Sequence, residues 1–280
     1  MTSEAQAAGE RTKRRVRYFR KLKGEHRRIV FITAHDYPTG LAAEQADVDG
    51  VLVGDSLGMV ALGFDTTIPV TMEMMVHHTA AVRRALRHPF LVADLPFLAC
   101  HTSVDDAVRN AGRLVQDGGA EAVKIEGGRE ALPAIERILA AGIPVLGHLG
   151  LLPQSIHRLG GYRVRGRSED DAELLLEDAK LLQEAGVFAV VLEAVKPQVA
   201  ARVTEALEIP TIGIGASAQC DGQVLVSYDA LGLFDEFVPS FVKRYADLAS
   251  AITDAAKQYV ADVQEGRFPA SDGGVKKVGA

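Results

Sequence analysis

The sequence has few cysteines, no long apolar run and little net charge. Its 280 residues include only two cysteines, Cys100 and Cys220, which excludes a disulfide framework and suits a reducing, cytoplasmic compartment. No apolar run reaches the roughly 18 residues of a membrane span, and the first residues lack the apolar segment of a signal peptide. The net charge of −6 argues against polyanion binding by the chain as a whole. We therefore expect a cytoplasmic protein with no membrane or nucleic-acid partner.

One basic segment stands apart from the rest of the chain. Residues 11–28 are rich in arginine and lysine, a composition that could form an arm for nucleic acid or for an acidic lipid surface. An amphipathic helix docked through Val16, Phe19 and Leu22 explains the same pattern and is the interpretation we favour.

After this segment, short aliphatic and β-branched runs alternate with longer segments of helical period. The predicted strands are 28–34, 50–54, 90–95, 121–126, 143–149, 188–193, 209–215 and 223–227. The main helices are predicted over 72–87, 104–116, 129–141, 169–185, 197–207 and 239–264. Continuous apolar strands such as 188–192 are typical of a parallel sheet that helices cover on both faces.

This alternation predicts an α/β fold, a (β/α)8 TIM barrel. A doubly wound open sheet is the competing fold, but it would be favoured by a Gly-x-Gly-x-x-Gly turn after the first strand, where this sequence has ITAHDY. We predict a basic N-terminal arm over 1–28, a single barrel domain over 29–268 and a flexible C-terminal tail over 269–280.

Ionisable residues follow six successive predicted strands. They are Asp36, Asp55 with Ser56 beside it, Asp94, Lys124 with Glu126, His148 and Glu193. A helix cap would explain an aspartate or a serine taken alone, but caps do not call for lysine, glutamate and histidine. Because the carboxyl ends of barrel strands build the cleft where catalysis occurs, we expect these side chains to converge on one rim.

Four carboxylates on that rim, Asp55, Asp94, Glu126 and Glu193, would repel one another unless a cation lay among them. Oxygen donors without thiolates or paired histidines favour Mg²⁺ over Zn²⁺. A 2-oxo acid can bind such an ion through its keto and carboxylate oxygens, which acidifies the adjacent C–H, and a carboxylate off the metal can act as general base. The residues alone therefore predict a metal-assisted enolisation and leave the electrophile open.

Several long motifs add a family resemblance to this interpretation. They are VLVGDSLGM at 51–59, VADLPF at 92–97, VKIEGG at 123–128, GHLGLLPQS at 147–155, VLEAV at 191–195 and IPTIGIGA at 209–216. With these and further motifs in order from about Thr33 to Pro269, the chain resembles the ketopantoate hydroxymethyltransferase family. The resemblance implies a TIM barrel of the phosphoenolpyruvate/pyruvate type, assembled as a homo-oligomer, commonly a decamer. It also implies transfer of a hydroxymethyl group from the co-substrate 5,10-methylenetetrahydrofolate to 3-methyl-2-oxobutanoate, through a Mg²⁺-stabilised enolate, to form 2-dehydropantoate in pantothenate biosynthesis.

The resemblance also implies roles for the residues of the rim. The implied metal ligands are Asp55, Asp94 and, directly or through water, Glu126. The implied substrate-binding residues are Asp55, Ser56, Asp94, Lys124 and His148. Glu193 is the implied catalytic base, which removes the proton from C3 of the 2-oxo acid.

The sequence departs from the family pattern in three places. His35 stands where a tyrosine is usual, which predicts a pH-sensitive hydrogen bond at the entrance of the site. Ser217 replaces a glycine in GIGAS, and the tail after Pro269 lacks the usual acidic and aromatic ending.

Other functions remain as alternatives. A Mg²⁺-dependent C–C lyase of the isocitrate lyase or phosphonopyruvate type, acting on a 2-oxo acid, would use the same barrel, but its Lys-x-Cys-Gly type of loop is absent from the sequence. A binding protein on a barrel that has lost catalysis would be favoured by a missing base or ligand, and all are present. A nucleic-acid role for 11–28 would require binding with a steep salt dependence.

Overall fold

The computed structural model describes residues 11–161, 163–236 and 238–269. The chain forms two compact units, Met1–Ser227 and Tyr228–Ala280. The first unit contains all eight strands and the second contains the long C-terminal helix. The division of the chain into arm, barrel domain and tail remains a prediction, and the predicted tail from 270 onwards lies outside the described residues.

Eight parallel strands form a closed barrel in chain order. They are β1 (Ile29–Thr33), β2 (Gly50–Val53), β3 (Phe90–Asp94), β4 (Ala122–Glu126), β5 (Val145–Gly150), β6 (Ala189–Glu193), β7 (Thr211–Ile214) and β8 (Gly222–Leu225). Strand β8 pairs with β1 and closes the ring, with Phe31 opposite Val224. Every predicted strand is present, and the predicted TIM barrel is confirmed.

Helices alternate with the strands along the chain and continue after the last strand. They are α1 (Val16–Gly24), α2 (Tyr37–Gln45), α3 (Leu57–Val60), α4 (Met72–Arg83), α5 (Val104–Gln116), α6 (Leu132–Ala140), α7 (Ile156–Leu159), α8 (Glu169–Ala185), α9 (Pro197–Ala206), α10 (Ser227–Ala230) and α11 (Leu248–Gln264). None of the helices in the described part of the chain combines the length and the apolar character that a membrane crossing requires.

The ends of the helices follow local sequence signals. Thr71 and Ser103 cap α4 and α5, because each side chain accepts a hydrogen bond from the backbone N–H three residues on. Gly186 ends α8 in the left-handed conformation with φ +100°. The predicted start of the last helix at residue 239 is wrong, since α11 begins at Leu248, where the Asp247 side chain accepts from the Ser250 N–H.

Helix α1 covers the end of the barrel where the strands begin. The ring of Phe19 is fully buried and lies 5.4 Å from the ring of Phe31, 5.4 Å from that of Phe90 and 5.7 Å from that of Phe188, centroid to centroid. Burial of such a side chain contributes about 1.5–3 kcal/mol. Leu22 is buried beside it. The amphipathic-helix interpretation of the basic segment is therefore confirmed.

Four basic side chains of this segment form ion pairs with acidic groups of the same unit. Lys13 pairs with Glu121, Arg14 with Asp47, Arg20 with Glu208, and Lys23 with Asp221. The helix thus docks through an apolar centre and a charged periphery.

Candidate functional site

The strand register places the predicted site residues side by side. Asp94 is the partner of Lys124 between β3 and β4, and Glu126 is the partner of His148 between β4 and β5. The residues two positions before Asp94, Lys124 and His148 belong to the apolar cluster that α1 covers: Val92, Ala122 and Leu146. Because alternate residues of a strand share a face, the charged side chains form the next layer, at the ends of the strands.

Asp94 connects the end of β2 to Lys124. Its Oδ2 accepts a hydrogen bond from the Asp55 N–H at 3.1 Å and lies 2.8 Å from the Lys124 Nζ. The lysine and aspartate side chains are only 6% and 2% exposed. The other oxygen, Asp94 Oδ1, is buried and has no hydrogen-bond partner among the described residues, and the same holds for Ser56 Oγ.

Gln154 joins two of the carboxylates and was not found by sequence reasoning. It lies in a short 3-10 turn, Pro153–Ser155, after β5. Its Nε2 donates to Asp55 Oδ2 at 2.8 Å and to the Leu95 carbonyl at 2.9 Å, while its backbone N–H donates to Glu126 Oε2 at 3.2 Å. The only signal for it in the sequence was its place in the motif GHLGLLPQS.

His148 lies between two glutamates. Its Nδ1 is 3.5 Å from Glu126 Oε1 and its Nε2 is 3.2 Å from Glu193 Oε2. The imidazole is 1% exposed, whereas the Glu193 side chain is 20% exposed. Glu193 therefore stands where the buried cluster meets the open end of the barrel.

Burial and mutual repulsion shift the acidities of the aspartates. Burial raises the pKa of Asp55 well above its usual value, and the charges of Asp94 and Glu126 raise it further. The pKa of Asp94 is also raised, chiefly by burial, although Lys124 opposes the shift. Both shifts mean that the site holds more negative charge than its surroundings stabilise.

The pKa values of the two cationic groups are raised as well, which favours their charged forms. Burial alone would lower the pKa of Lys124, but the carboxylates around it, Asp94 first, raise it. Burial and the Lys124 charge lower the pKa of His148, but Glu126 and Glu193 outweigh them and raise it to about 9. Both side chains are therefore protonated at neutral pH.

The described residues contain no group of three or more histidine, cysteine, aspartate or glutamate side chains arranged to hold a metal ion. The predicted ligands Asp55, Asp94 and Glu126 thus do not form a ready three-carboxylate set there. Two buried oxygens, Asp94 Oδ1 and Glu126 Oε1, nevertheless have no hydrogen-bond partner in the described part of the chain. Mg²⁺ usually takes only one or two protein carboxylates and keeps water in its other positions, so these oxygens fit that ion. Its charge would also lower the raised pKa values of the aspartates.

Two residues near β1 have other surroundings than the sequence suggested. Asp36 caps α2, because its Oδ1 accepts from the Thr39 N–H at 2.8 Å. His35 is 1% exposed, and burial together with the nearby His78 lowers its pKa to about 4. A hydrogen bond made by the His35 imidazole would therefore respond to pH near 4 rather than near neutrality. Ser217 is buried, and its Oγ accepts from the Gln219 N–H at 3.1 Å.

Solved structures with a similar fold include a hydrolase complex. Phosphonopyruvate hydrolase in complex with oxalate and Mg²⁺ superposes with a TM-score of 0.58 at 13% identity, over 94% of this chain and 89% of that one. This likeness supports the fold, a closed barrel of parallel strands and helices.

Sequence comparison is more specific. The 3-methyl-2-oxobutanoate hydroxymethyltransferase of Moorella thermoacetica is 58% identical over 249 residues, which cover 89% of this chain and 92% of that protein. The enzyme of the same name from Trichlorobacter lovleyi is 55% identical over 251 residues, covering 90% and 94%. The family model of ketopantoate hydroxymethyltransferase matches residues 13–271. On the strength of these matches, the chain belongs to the ketopantoate hydroxymethyltransferase family.

Proposed function

We propose that this protein transfers a hydroxymethyl group from 5,10-methylenetetrahydrofolate to 3-methyl-2-oxobutanoate and so forms 2-dehydropantoate, a precursor of pantothenate and coenzyme A. The observation that carries the proposal is the buried acid–base layer at the ends of β3 to β6, in a chain that is 58% identical to a relative with this activity in its name. The cellular location we propose is the cytoplasm, and the partners are small molecules rather than nucleic acid or membranes.

The 2-oxo acid binds beside Lys124 and Ser56 in this proposal. Lys124 brings a buried positive charge to a layer of carboxylates, and an anionic substrate gains from that charge. Ser56 Oγ, which no group of the described residues engages in a hydrogen bond, is available as a donor to the substrate's oxygens. Asp55 and Asp94 complete the binding site, and His148 lines its wall.

Asp55, Asp94 and, directly or through water, Glu126 are the residues that would hold Mg²⁺. When bound, the metal supplies a Lewis acid that polarises the keto group and stabilises negative charge on its oxygen. Gln154 orients this set, since it donates to both Asp55 and Glu126.

Glu193 is the proposed base. Its side chain is 20% exposed, whereas Asp55, Asp94 and Glu126 are buried, and the imidazole of His148 lies beside it on the buried side. The carboxylate takes the proton from C3 of 3-methyl-2-oxobutanoate, which leaves an enolate. Water adds to the methylene carbon and both bonds from that carbon to folate nitrogens break, which leaves the carbon at the oxidation level of formaldehyde and returns tetrahydrofolate. C3 then bonds to this carbon, and its carbonyl oxygen takes up a proton and becomes the hydroxyl group.

Hydrogen exchange at C3 tests the base without folate. Wild-type protein with 3-methyl-2-oxobutanoate and Mg²⁺ in D₂O should lose the C3 proton signal in NMR spectra, and Glu193→Gln should slow that loss by 10²–10⁴-fold, as removal of a general base does. Glu184→Gln, an exposed change on α8, is the matched control and should leave the exchange rate unchanged.

Product formation then separates this function from its alternative. Addition of 5,10-methylenetetrahydrofolate should yield 2-dehydropantoate. A C–C lyase would instead cleave a 2-oxo acid without folate. Absence of both exchange and product, with substrate demonstrably bound, would overturn the proposal.

We also infer that the chain assembles with copies of itself, as the predicted homo-decamer. Helix α11 has no buried residue along its whole length, although it carries large apolar side chains on one stripe. These are Ile252, Tyr259, Val260 and Val263. Light scattering after size exclusion should give the mass of ten chains for the wild type and smaller species for Ile252→Asp/Val260→Asp, whereas a wild-type monomer would refute the inference.

A further inference from the structure

Two adjoining clefts lie beside the loop that follows β5. The first has a volume of about 500 Å³, with Leu149, Leu152 and Leu175 among its apolar lining and with Arg158 and Arg165 among its basic lining. The second, of about 450 Å³, shares Arg165 and adds Arg163 and Arg167. Together they present an apolar surface next to a row of guanidinium groups.

The acidic side chains in these clefts are mostly engaged. Asp171 accepts from the Arg165 Nε at 2.9 Å, and Asp178 accepts from the Arg129 Nε at 2.7 Å. Three further arginines, Arg158, Arg163 and Arg167, are exposed, and no carboxylate of the described residues forms an ion pair with them. We call these three residues the arginine row. The positive charge of the arginine row is not balanced by a carboxylate of the described residues.

Arg165, which lines both clefts, lies against the end of the strand that carries Glu193. The Arg165 N–H donates to the Ala194 carbonyl at 2.9 Å, and the Lys196 N–H donates to the Arg165 carbonyl at 3.0 Å. Gly150, which lines the first cleft, is the strand partner of Glu193. A molecule in these clefts therefore lies one strand end away from the proposed base.

We propose that the arginine row binds the glutamate carboxylates of the folate co-substrate. The inference rests on the proposed function, and it names a subsite for the part of folate that does not react. A folate carries an aromatic ring followed by a glutamate with two carboxylates, and each further glutamate of a polyglutamate tail adds one more. Guanidinium groups bind carboxylates in a bidentate, charge-assisted manner, and the leucines of the first cleft suit the ring.

The variant Arg158→Gln/Arg163→Gln/Arg167→Gln tests the proposal in the full-length protein. Its KM for the monoglutamate co-substrate should rise about tenfold or more. We expect the wild type to have a lower KM for the triglutamate form than for the monoglutamate, and the triple variant to lose that difference. Its KM for 3-methyl-2-oxobutanoate and its rate of deuterium exchange at C3 should stay within about twofold of wild type, because neither involves folate. Arg137→Gln is the control, since Arg137 is exposed on α6 and lines neither cleft.

A binding measurement gives a second readout that does not depend on turnover. Equilibrium dialysis of tetrahydrofolate triglutamate should show weaker binding to the triple variant by a similar factor, and the wild-type affinity should fall as salt rises. Unchanged KM and unchanged affinity in a folded triple variant would overturn the arginine row as the subsite. A wild type that makes no 2-dehydropantoate would instead overturn the proposed function, so the two failures are distinct.

Discussion

Gly150 offers a sharp test of how the barrel holds Glu193. This glycine ends β5 with φ +101°, a conformation that L side chains rarely adopt. A Cβ atom built there would stand close to the Glu193 carbonyl oxygen, at 2.2 Å, and 2.7 Å from Val195 Cγ2. The valine can rotate, but the carbonyl is backbone and already accepts from the Leu151 N–H at 2.8 Å. Gly150→Ala must therefore push the ends of β5 and β6 apart.

Gly150→Ala should lower the free energy of unfolding for two reasons. A strained backbone conformation costs about 1–3 kcal/mol, and overpacking costs typically about 1–3 kcal/mol more. Gly186→Ala isolates the first part, because Gly186 has φ +100° but its nearest neighbour to a new Cβ is Leu139 Cδ1 at 3.8 Å. The difference between the two variants is then about 1–3 kcal/mol, or roughly 2–12 °C in Tm at about 2–4 °C per kcal/mol for a domain of this size.

Calorimetry and the C3 exchange assay measure the two consequences. Gly150→Ala should melt below Gly186→Ala and should also lose exchange activity, by up to about 100-fold if Glu193 moves by about 1 Å. Gly186→Ala should keep the wild-type exchange rate. Equal melting temperatures in the two variants, with exchange retained in Gly150→Ala, would refute the argument that this contact positions Glu193.

Three other predictions concern stability and reactivity. Burial would raise the pKa of Glu44, but hydrogen bonds from the Arg87 N–H and from His88 outweigh burial and lower it below 4.5. The ionised Glu44 therefore stabilises the fold above that pH. This stabilisation is lost as the pH falls through the lowered pKa. Glu44→Gln should accordingly cost about 1–3 kcal/mol in urea denaturation at pH 7, with a smaller difference in acid; a constant difference would contradict the assignment. Burial raises the pKa of the Cys100 thiol to about 12 and also raises that of Cys220, so iodoacetamide at pH 8 should label neither until the protein unfolds, as mass spectrometry would show. Phe19→Ala should lower the free energy of unfolding by about 3–5 kcal/mol, whereas a loss below about 1 kcal/mol would show that α1 does not stabilise the barrel.

The barrel was predictable because its signals are local and repeated. Strands such as β6 are continuous apolar runs bounded by polar residues, and helices such as α8 begin at a serine cap and end at a glycine, so their limits can be found in the sequence. The start of α11 was missed because apolar residues at Phe241 and Tyr245 extend the helical pattern beyond the helix, whose first turn is capped only at Asp247.

The site was predictable where its residues carry charge. Lys124, Glu126 and His148 interrupt apolar strands, and no structural reason other than a shared polar layer explains them. Gln154 was missed because an amide gives no such contrast and because it lies in a turn beyond the end of its strand. The burial that lowers the pKa of His35 was also beyond the sequence, since it arises from helices that pack around the closed barrel.

The aromatic contacts of α1 impose an order on the synthesis of this protein. Phe19 leaves the ribosome early, but its partner Phe188 is made 169 residues later. At about 5–20 residues per second, the apolar side of α1 waits roughly 10–30 s before the surface that receives it is complete. The exposed arginines beside Phe19 are Arg15, Arg17 and Arg20. Their charges keep the helix hydrated until it is buried, and they make the helices of neighbouring nascent chains repel one another. The charge of the basic segment thus protects the helix from aggregation during synthesis, because Phe19 is made early but can be buried only late.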